Sequence, residues 1–143
     1  MIGIASDHAG VDLKSFLIAD LSRTGQPIRD FGPSGTESVD YPDFAQSLCR
    51  ELQSGQVSRG ILICGSGIGM SIAANRFRGV RAALVWNRET AALSRQHNNS
   101  NILVLPARFL DKPTALDIVN IWLSTDFEGG RHTRRVEKIE LPG

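Results

Sequence analysis

The stretch that most constrains this chain runs from Gly60 to Asn75 and reads G-I-L-I-C-G-S-G-I-G-M-S-I-A-A-N. Ile61-Leu62-Ile63 is a continuous apolar run, the pattern of a strand buried on both faces. Cys64 stands at its end. Gly65, Gly67 and Gly69 follow at alternate positions, with Ser66 between the first two, and Met70 to Asn75 then read as helix. Strand, glycine turn and helix in this order place backbone amides and the positive end of a helix dipole beside the cysteine. Such a turn can hold an anion or oxyanion and favours a thiolate. Position alone leaves Cys64 open between two readings, a reactive thiol and a small inert core residue.

The rest of the chain repeats the strand–helix alternation. Ile2 to Ala5 read as a first strand, followed by the polar loop Ser6 to Gly10 and a helix over Val11 to Arg23. A weaker strand, Pro27 to Phe31, leads into the loop Gly32 to Pro42. Asp43 is a candidate cap for a helix with the stripe Phe44, Leu48 and Leu52, and Cys49 falls on its apolar side as core. Val80 to Trp86 form the next strand. Asn87 caps a helix reaching about His97, and Ile102 to Leu105 form the last strand. Pro113 opens a helix with the stripe Leu116, Val119 and Leu123, and Arg131 to Ile139 read as a final helix. This alternation predicts a Rossmann-like three-layer α/β fold with a five-stranded parallel sheet, formed as one domain over residues 1–143. Ligands in such sheets bind beyond the carboxyl ends of the strands, the edge expected for Asp7, His8, Cys64, Ser66 and the segment before Arg108.

The 143 residues carry a net charge of +1, which argues against a general role on nucleic acid or at a membrane surface. No apolar run approaches a membrane span, the N-terminus shows no signal-peptide pattern, and the two cysteines lack metal-ligand spacing. A reduced, cytoplasmic protein is expected. The glycine loop is not the G-x-G-x-x-G of a dinucleotide site, and no G-K-[ST] makes it a P-loop.

The three histidines, His8, His97 and His132, all lie in polar segments where a solvated surface residue is the ordinary reading. Arg131, Arg134 and Arg135 crowd the start of the final helix, where the dipole disfavours positive charge. Arg131 and Arg135, four apart, share a face. A bound phosphate resolves that conflict; a solvated basic face is the plain alternative. A thiol base, an oxyanion nest, an imidazole and a set of arginines together suit proton abstraction next to a carbonyl on a phosphorylated substrate.

Five ordered motifs then resemble the type B ribose-5-phosphate isomerase family, which includes related allose- and galactose-phosphate isomerases. They are Asp7-His8, the D-Y-P of Asp40 to Pro42, the Gly60 to Asn75 stretch, the S-R-Q-H-N of Ser94 to Asn98, and E-G-G-R-H-x-x-R-V over Glu128 to Val136. The resemblance covers nearly the whole chain. It implies an aldose–ketose isomerase of the pentose phosphate pathway interconverting ribose 5-phosphate and ribulose 5-phosphate, with no cofactor and no metal. Cys64 would shuttle the C1/C2 proton, with Ser66 beside it. Gly65, Gly67, Ile68 and Gly69 would form the anion hole. His97 would open the sugar ring, with Asn98 on the sugar. Asp7 would bind sugar hydroxyls and Tyr41 would line the pocket. His8, Arg108, Arg131 and Arg135 would hold the phosphate, the helix over about 131–140 also contributing to a dimer.

The family implies a homodimer or homotetramer with sites shared between subunits, so that His97 and Asn98 serve a neighbouring Cys64. Ser66 stands where many members carry Thr, and Met70 where another branch carries a glutamate base, which places the chain in the cysteine branch. A hexose phosphate such as allose 6-phosphate is the alternative substrate. A non-catalytic sugar-phosphate- or nucleotide-binding module, or one subunit of a hetero-oligomeric isomerase, is the alternative class. A redox thiol is disfavoured because Cys64 has no neighbouring resolving cysteine.

Overall fold

The structure is a computed structural model describing residues 1–143. Five strands form one parallel sheet: β1 (Ile2–Ser6), β2 (Ile28–Asp30), β3 (Arg59–Cys64), β4 (Ala82–Leu84) and β5 (Ile102–Pro106), in the spatial order β2-β1-β3-β5-β4. The helices are α1 (Val11–Arg23), α2 (Tyr41–Gln53), α3 (Ile68–Ala74), α4 (Arg88–Gln96), α5 (Lys112–Ser124) and α6 (Arg131–Glu137). The chain leaves β1 in one direction to reach β2 and in the other to reach β3. The gap between the carboxyl ends of β1 and β3 is therefore a switch point, where such sheets open a crevice.

Alternation along the strands splits the core in two. Ile4, Ile61, Ile63, Leu103 and Leu105 face α1, α4 and α5, meeting Leu17, Ile118 and Trp122. Ala5, Leu62, Cys64 and Val104 face α2 and α3, meeting Leu48, Cys49 and Met70. The central strands β1, β3 and β5 are buried on both faces, as their apolar runs require.

Several expected boundaries move, each for a local reason. The second helix starts at Tyr41, with Asp40 rather than Asp43 at its cap and Pro42 in the first turn, where its missing N–H costs nothing. α3 starts at Ile68, so Gly69 lies within the helix rather than in the turn. The buried stripe of α5 is Ala115, Ile118, Val119 and Trp122, so only Val119 of the three expected residues is fully buried. β4 keeps three residues of the seven expected, because it pairs on one side only. Lys14, only 1% exposed, donates to Asp30 Oδ1 at 2.8 Å and to the Pro33 carbonyl, pinning the loop that follows β2. No helix is long and apolar enough to cross a membrane.

Candidate active site

Cys64 is the last residue of β3, 5% exposed, paired in register with Pro106 of β5. The chain then turns sharply. Gly67 has φ +76, a left-handed conformation that costs an L-residue roughly 1–2 kcal/mol, and a Cβ there would clash with Leu84 Cδ1. The turn leaves the N–H groups of Gly65, Ser66, Gly67, Gly69 and Met70 without partners in the chain. Ile68 N–H alone is satisfied, by Ser66 Oγ at 3.2 Å. Ser66 Oγ, one residue before the Gly67 cap, thus satisfies the first amide of α3 and keeps its own hydroxyl proton to donate. Five free amides beside a thiol at a helix N-terminus form a nest for a negatively charged oxygen.

Both walls of the nest press on glycines. A Cβ on Gly69 would lie 2.5 Å from Tyr41 Cζ, and the Arg108 guanidinium sits 3.0 Å from the Cβ position of Gly65. Arg108 N–H also donates to the Gly65 carbonyl at 3.0 Å. The β1 end completes this edge. Asp7 N–H donates to the Ile63 carbonyl, and Asp7 Oδ1 accepts from Ala9 and Gly10 N–H at 2.9 and 3.2 Å. One carboxylate oxygen is committed to that turn and the other is open to a ligand. His8 Nδ1 accepts from Val39 N–H at 3.2 Å, leaving Nε2 as its free nitrogen. Asp7, His8, Tyr41, Cys64, the glycine nest, Ile68 and Arg108 therefore share one rim.

His97, Asn98, Arg131 and Arg135 do not. α4 starts past the carboxyl end of β4 and runs back along the sheet, so His97, its C-cap, arrives at the opposite end. The residues that follow, Asn99 and Asn101, bond Arg81 just before β4 and the Gly60 amide at the start of β3. From Gly60 to Cys64 the strand rises roughly 13 Å. His97 and Asn98 line a cavity of about 330 Å³ with His132, Arg135, Val136 and Ile139.

The His97 and His132 rings stack at 4.3 Å between centroids, with 13° between their planes. Both Nε2 atoms face Glu128 Oε1, at 3.8 and 3.7 Å. His132 is buried, unlike the solvated histidine its polar neighbours suggest. Its pKa is held below the ordinary imidazole value, first by burial, then by His97 and Arg131, with Glu128 opposing and Arg135 adding to the depression. The arginine argument also changes. In a helix of seven residues Arg134 and Arg135 occupy the last turn, which welcomes positive charge, so only Arg131 opposes the dipole.

A family model described as ribose/galactose isomerase matches residues 2–139. The chain belongs to the ribose/galactose isomerase family. Within it, the chain is 43% identical to ribose-5-phosphate isomerase B of Escherichia coli over 138 residues, 96% of this chain and 93% of that one. It superposes on the ribose 5-phosphate isomerase of Thermotoga maritima with a TM-score of 0.95 at 51% identity, covering 96% and 95% of the two chains. The Mycoplasma genitalium ribose-5-phosphate isomerase B crystallised with bound ribulose-5-phosphate gives a TM-score of 0.93 at 44% identity, covering 96% and 92%.

Sequence reasoning misses three residues in this isomerase fold. His132 and Glu128 stand in the E-G-G-R-H motif with no role read from it, although their i, i+4 spacing is a usable signal. The buried Arg95, described below, gave none, because its partners are neutral oxygens: Asn99 and Ser100 in the loop just after it, and the Thr125 carbonyl thirty residues on.

Proposed function

We propose that this chain interconverts ribose 5-phosphate and ribulose 5-phosphate in a homodimer whose active site is built from both subunits. The observation that carries the reading is Cys64 at the sheet's switch point, ringed by five unpaired amides, in a member of an isomerase family. The Cys64 thiolate takes the proton from C2 of the open-chain aldose. The developing negative charge on the enediolate falls to the nest over residues 65–70, and Ser66 Oγ–H moves a proton between O1 and O2. The same thiol then returns its proton to C1, giving the ketose. Each transfer uses a side chain or amide of the protein, so turnover is expected without added metal.

The distant half joins through a second copy. The partner subunit's His97 protonates the ring oxygen and opens the furanose, and the partner subunit's Asn98 contacts the sugar. Phosphate is shared between His8 and Arg108 on one rim and the partner subunit's Arg131 and Arg135 on the other. Asp7 holds hydroxyls through its free oxygen, and Tyr41 closes the wall. The reading places the enzyme in the cytoplasm on the pentose phosphate route, with the one domain carrying both half-sites.

The test is complementation. Cys64→Ala and His97→Gln are purified separately, then unfolded and refolded as an equal mixture. Random pairing makes half the dimers hybrid, each with one intact site, so about a quarter of wild-type ribose 5-phosphate activity returns if the site crosses subunits. No recovery, with both variants dimeric, overturns the shared site. Turnover of allose 6-phosphate but not of ribose 5-phosphate by the wild type keeps the chemistry and changes the substrate. Binding of both without turnover favours a non-catalytic subunit.

A further inference from the structure

Arg95 lies two residues before His97 and is 5% exposed, yet no carboxylate pairs with it. Its acceptors are all neutral oxygens. Nε donates to the Thr125 carbonyl at 3.1 Å, and Nη1 donates to the Ser100 carbonyl at 2.5 Å and to Asn99 Oδ1 at 3.0 Å. Thr125 and Ser100 follow the C-terminal ends of α5 and α4, where carbonyls carry partial negative charge. Burial pulls its pKa down, the nearby cations Arg59 and Arg81 add to that, and only Asp126, beyond pairing distance, opposes them. A buried arginine bonded only to carbonyl oxygens, with two cations and one more distant carboxylate around it, is expensive. Its bond to Thr125 ties α4 to the end of α5, and its other two bonds go to the segment that follows His97.

Asn99, in that segment, is the one non-glycine residue in the left-handed region, at φ +49. Its side chain bonds Arg95, and its carbonyl accepts from Arg81 Nε at 2.8 Å. Ser100, 1% exposed, is fixed a second time through its hydroxyl, which accepts from Trp122 Nε1 at 2.8 Å and lies 3.0 Å from Ser94 Oγ. The Gln96 carbonyl accepts from Glu128 N–H, tying in the loop between α5 and α6 that carries the carboxylate facing the histidine stack. His97 and Asn98 are thus suspended between two anchored ends, while the His97 side chain itself makes no hydrogen bond closer than its 3.8 Å approach to Glu128.

We propose that Arg95 is a positioning residue for ring opening, holding His97 and Asn98 in place for the partner's site through Asn99, Ser100 and Thr125. The inference rests on the isomerase reading and on the ring-opening role given there to His97. It separates two steps. Ring opening needs His97 on the Arg95-held segment; proton transfer at C1 and C2 is performed by Cys64, Ser66 and the nest, to which the partner subunit's Asn98, the partner subunit's Arg131 and the partner subunit's Arg135 add only binding. Ribulose 5-phosphate carries its phosphate on the only hydroxyl that could close a five-membered ring, so it presents an open chain. Exchange of its C1 proton with solvent deuterium, which stops at the enediolate, bypasses ring chemistry.

The experiment compares wild type, Arg95→Met, Arg95→Lys and, as the reference, His97→Gln, each checked for dimer and melting temperature. Forward turnover of ribose 5-phosphate and deuterium wash-in at C1 of ribulose 5-phosphate are followed by NMR. Arg95→Met is expected to lose about 10- to 100-fold in kcat, with KM little changed, while wash-in stays within about threefold of wild type. Arg95→Lys keeps the charge but not the fork, and should fall between the two. Wild-type turnover in Arg95→Met overturns the proposal. So does an equal loss of turnover and wash-in, the result expected of a merely structural residue, or failure of His97→Gln to separate the two readouts. If the wild type shows neither turnover nor wash-in, the isomerase reading fails, and this inference with it.

Discussion

The two halves of the site are held by different means. Around Cys64 the backbone sets positions: strand ends in register, one left-handed glycine, and amides freed by a turn. Around His97 the side chains set them, through a buried arginine, a tryptophan N–H and two serines drawn from separate elements. The first half is as rigid as the sheet and can be altered only by breaking the turn. The second rests on several separate side-chain hydrogen bonds, each of which can be removed without breaking the sheet.

The comparison breaks most severely at the thiol. Cys64→Ala should lower kcat by about 10²- to 10⁴-fold, the usual worth of a positioned general base, and leave binding of the sugar phosphate intact. Steady-state assay and isothermal titration check the two separately. Retained turnover would remove Cys64 from the chemistry and return it to the core, where Leu62 and Met70 already surround it. Cys49 shows what that inert alternative looks like: it lies on the same face of the sheet, fully buried, with burial pushing its thiol up to about 12.

A backbone lesion comes next. Gly67→Ala forces a Cβ into the left-handed region and against Leu84, so the fold should lose about 3 kcal/mol. Turnover should fall further than that lost stability accounts for, because the nest amides move with the turn. Denaturant unfolding and kcat at a temperature where the variant is fully folded separate the effects. An Ala variant with full activity would show that the nest tolerates displacement, and the contrast between a backbone-set and a side-chain-set half would fail.

What could be read in the sequence follows the same division. The glycine pattern, the apolar triplet and Asn87, whose Oδ1 accepts from Thr90 N–H at 2.8 Å, are local signals, and they placed the Cys64 rim and the α4 start correctly. Phe44 and Leu52 are only partly buried, and α5 turns Trp122 inward instead of Leu123, because packing partners choose among neighbouring apolar residues. His132 looked solvated because sequence does not show that α6 folds it under His97. The separation of His97 from Cys64 was foreseen only through the family resemblance. From the fold it follows from an antiparallel return along α4, which motif spacing cannot express.

The arginines of α6 sharpen the comparison at a smaller scale. Arg135 lines the His97 cavity and reaches no carboxylate. Arg135→Ala should raise KM about tenfold with kcat within twofold, as loss of a ground-state phosphate contact does. The same substitution at Arg108, packed on the Gly65 turn, should change kcat as well, because it disturbs the nest. Equal KM and kcat changes at the two arginines would mean that the rims are not distinguishable.

The smallest effect expected is on stability at mild acid, and it belongs to the side-chain half alone. His132 is depressed below the ordinary value of about 6.5, so the folded chain binds its proton less readily than the unfolded chain. Its share of stability is complete above that ordinary value and is lost as pH falls through the folded one. His97 stacks on it, Arg131 and Arg135 oppose its charge, and Glu128 alone favours it. Glu128→Gln should therefore lower the His132 pKa further, read from its ring proton shifts by NMR. His132→Gln should flatten the acid side of the stability curve while leaving Cys64 labelling by a small alkylating agent unchanged. An unflattened curve would mean that the stack relaxes before it titrates, and a change in Cys64 labelling would mean that the two ends of the sheet are coupled within one chain.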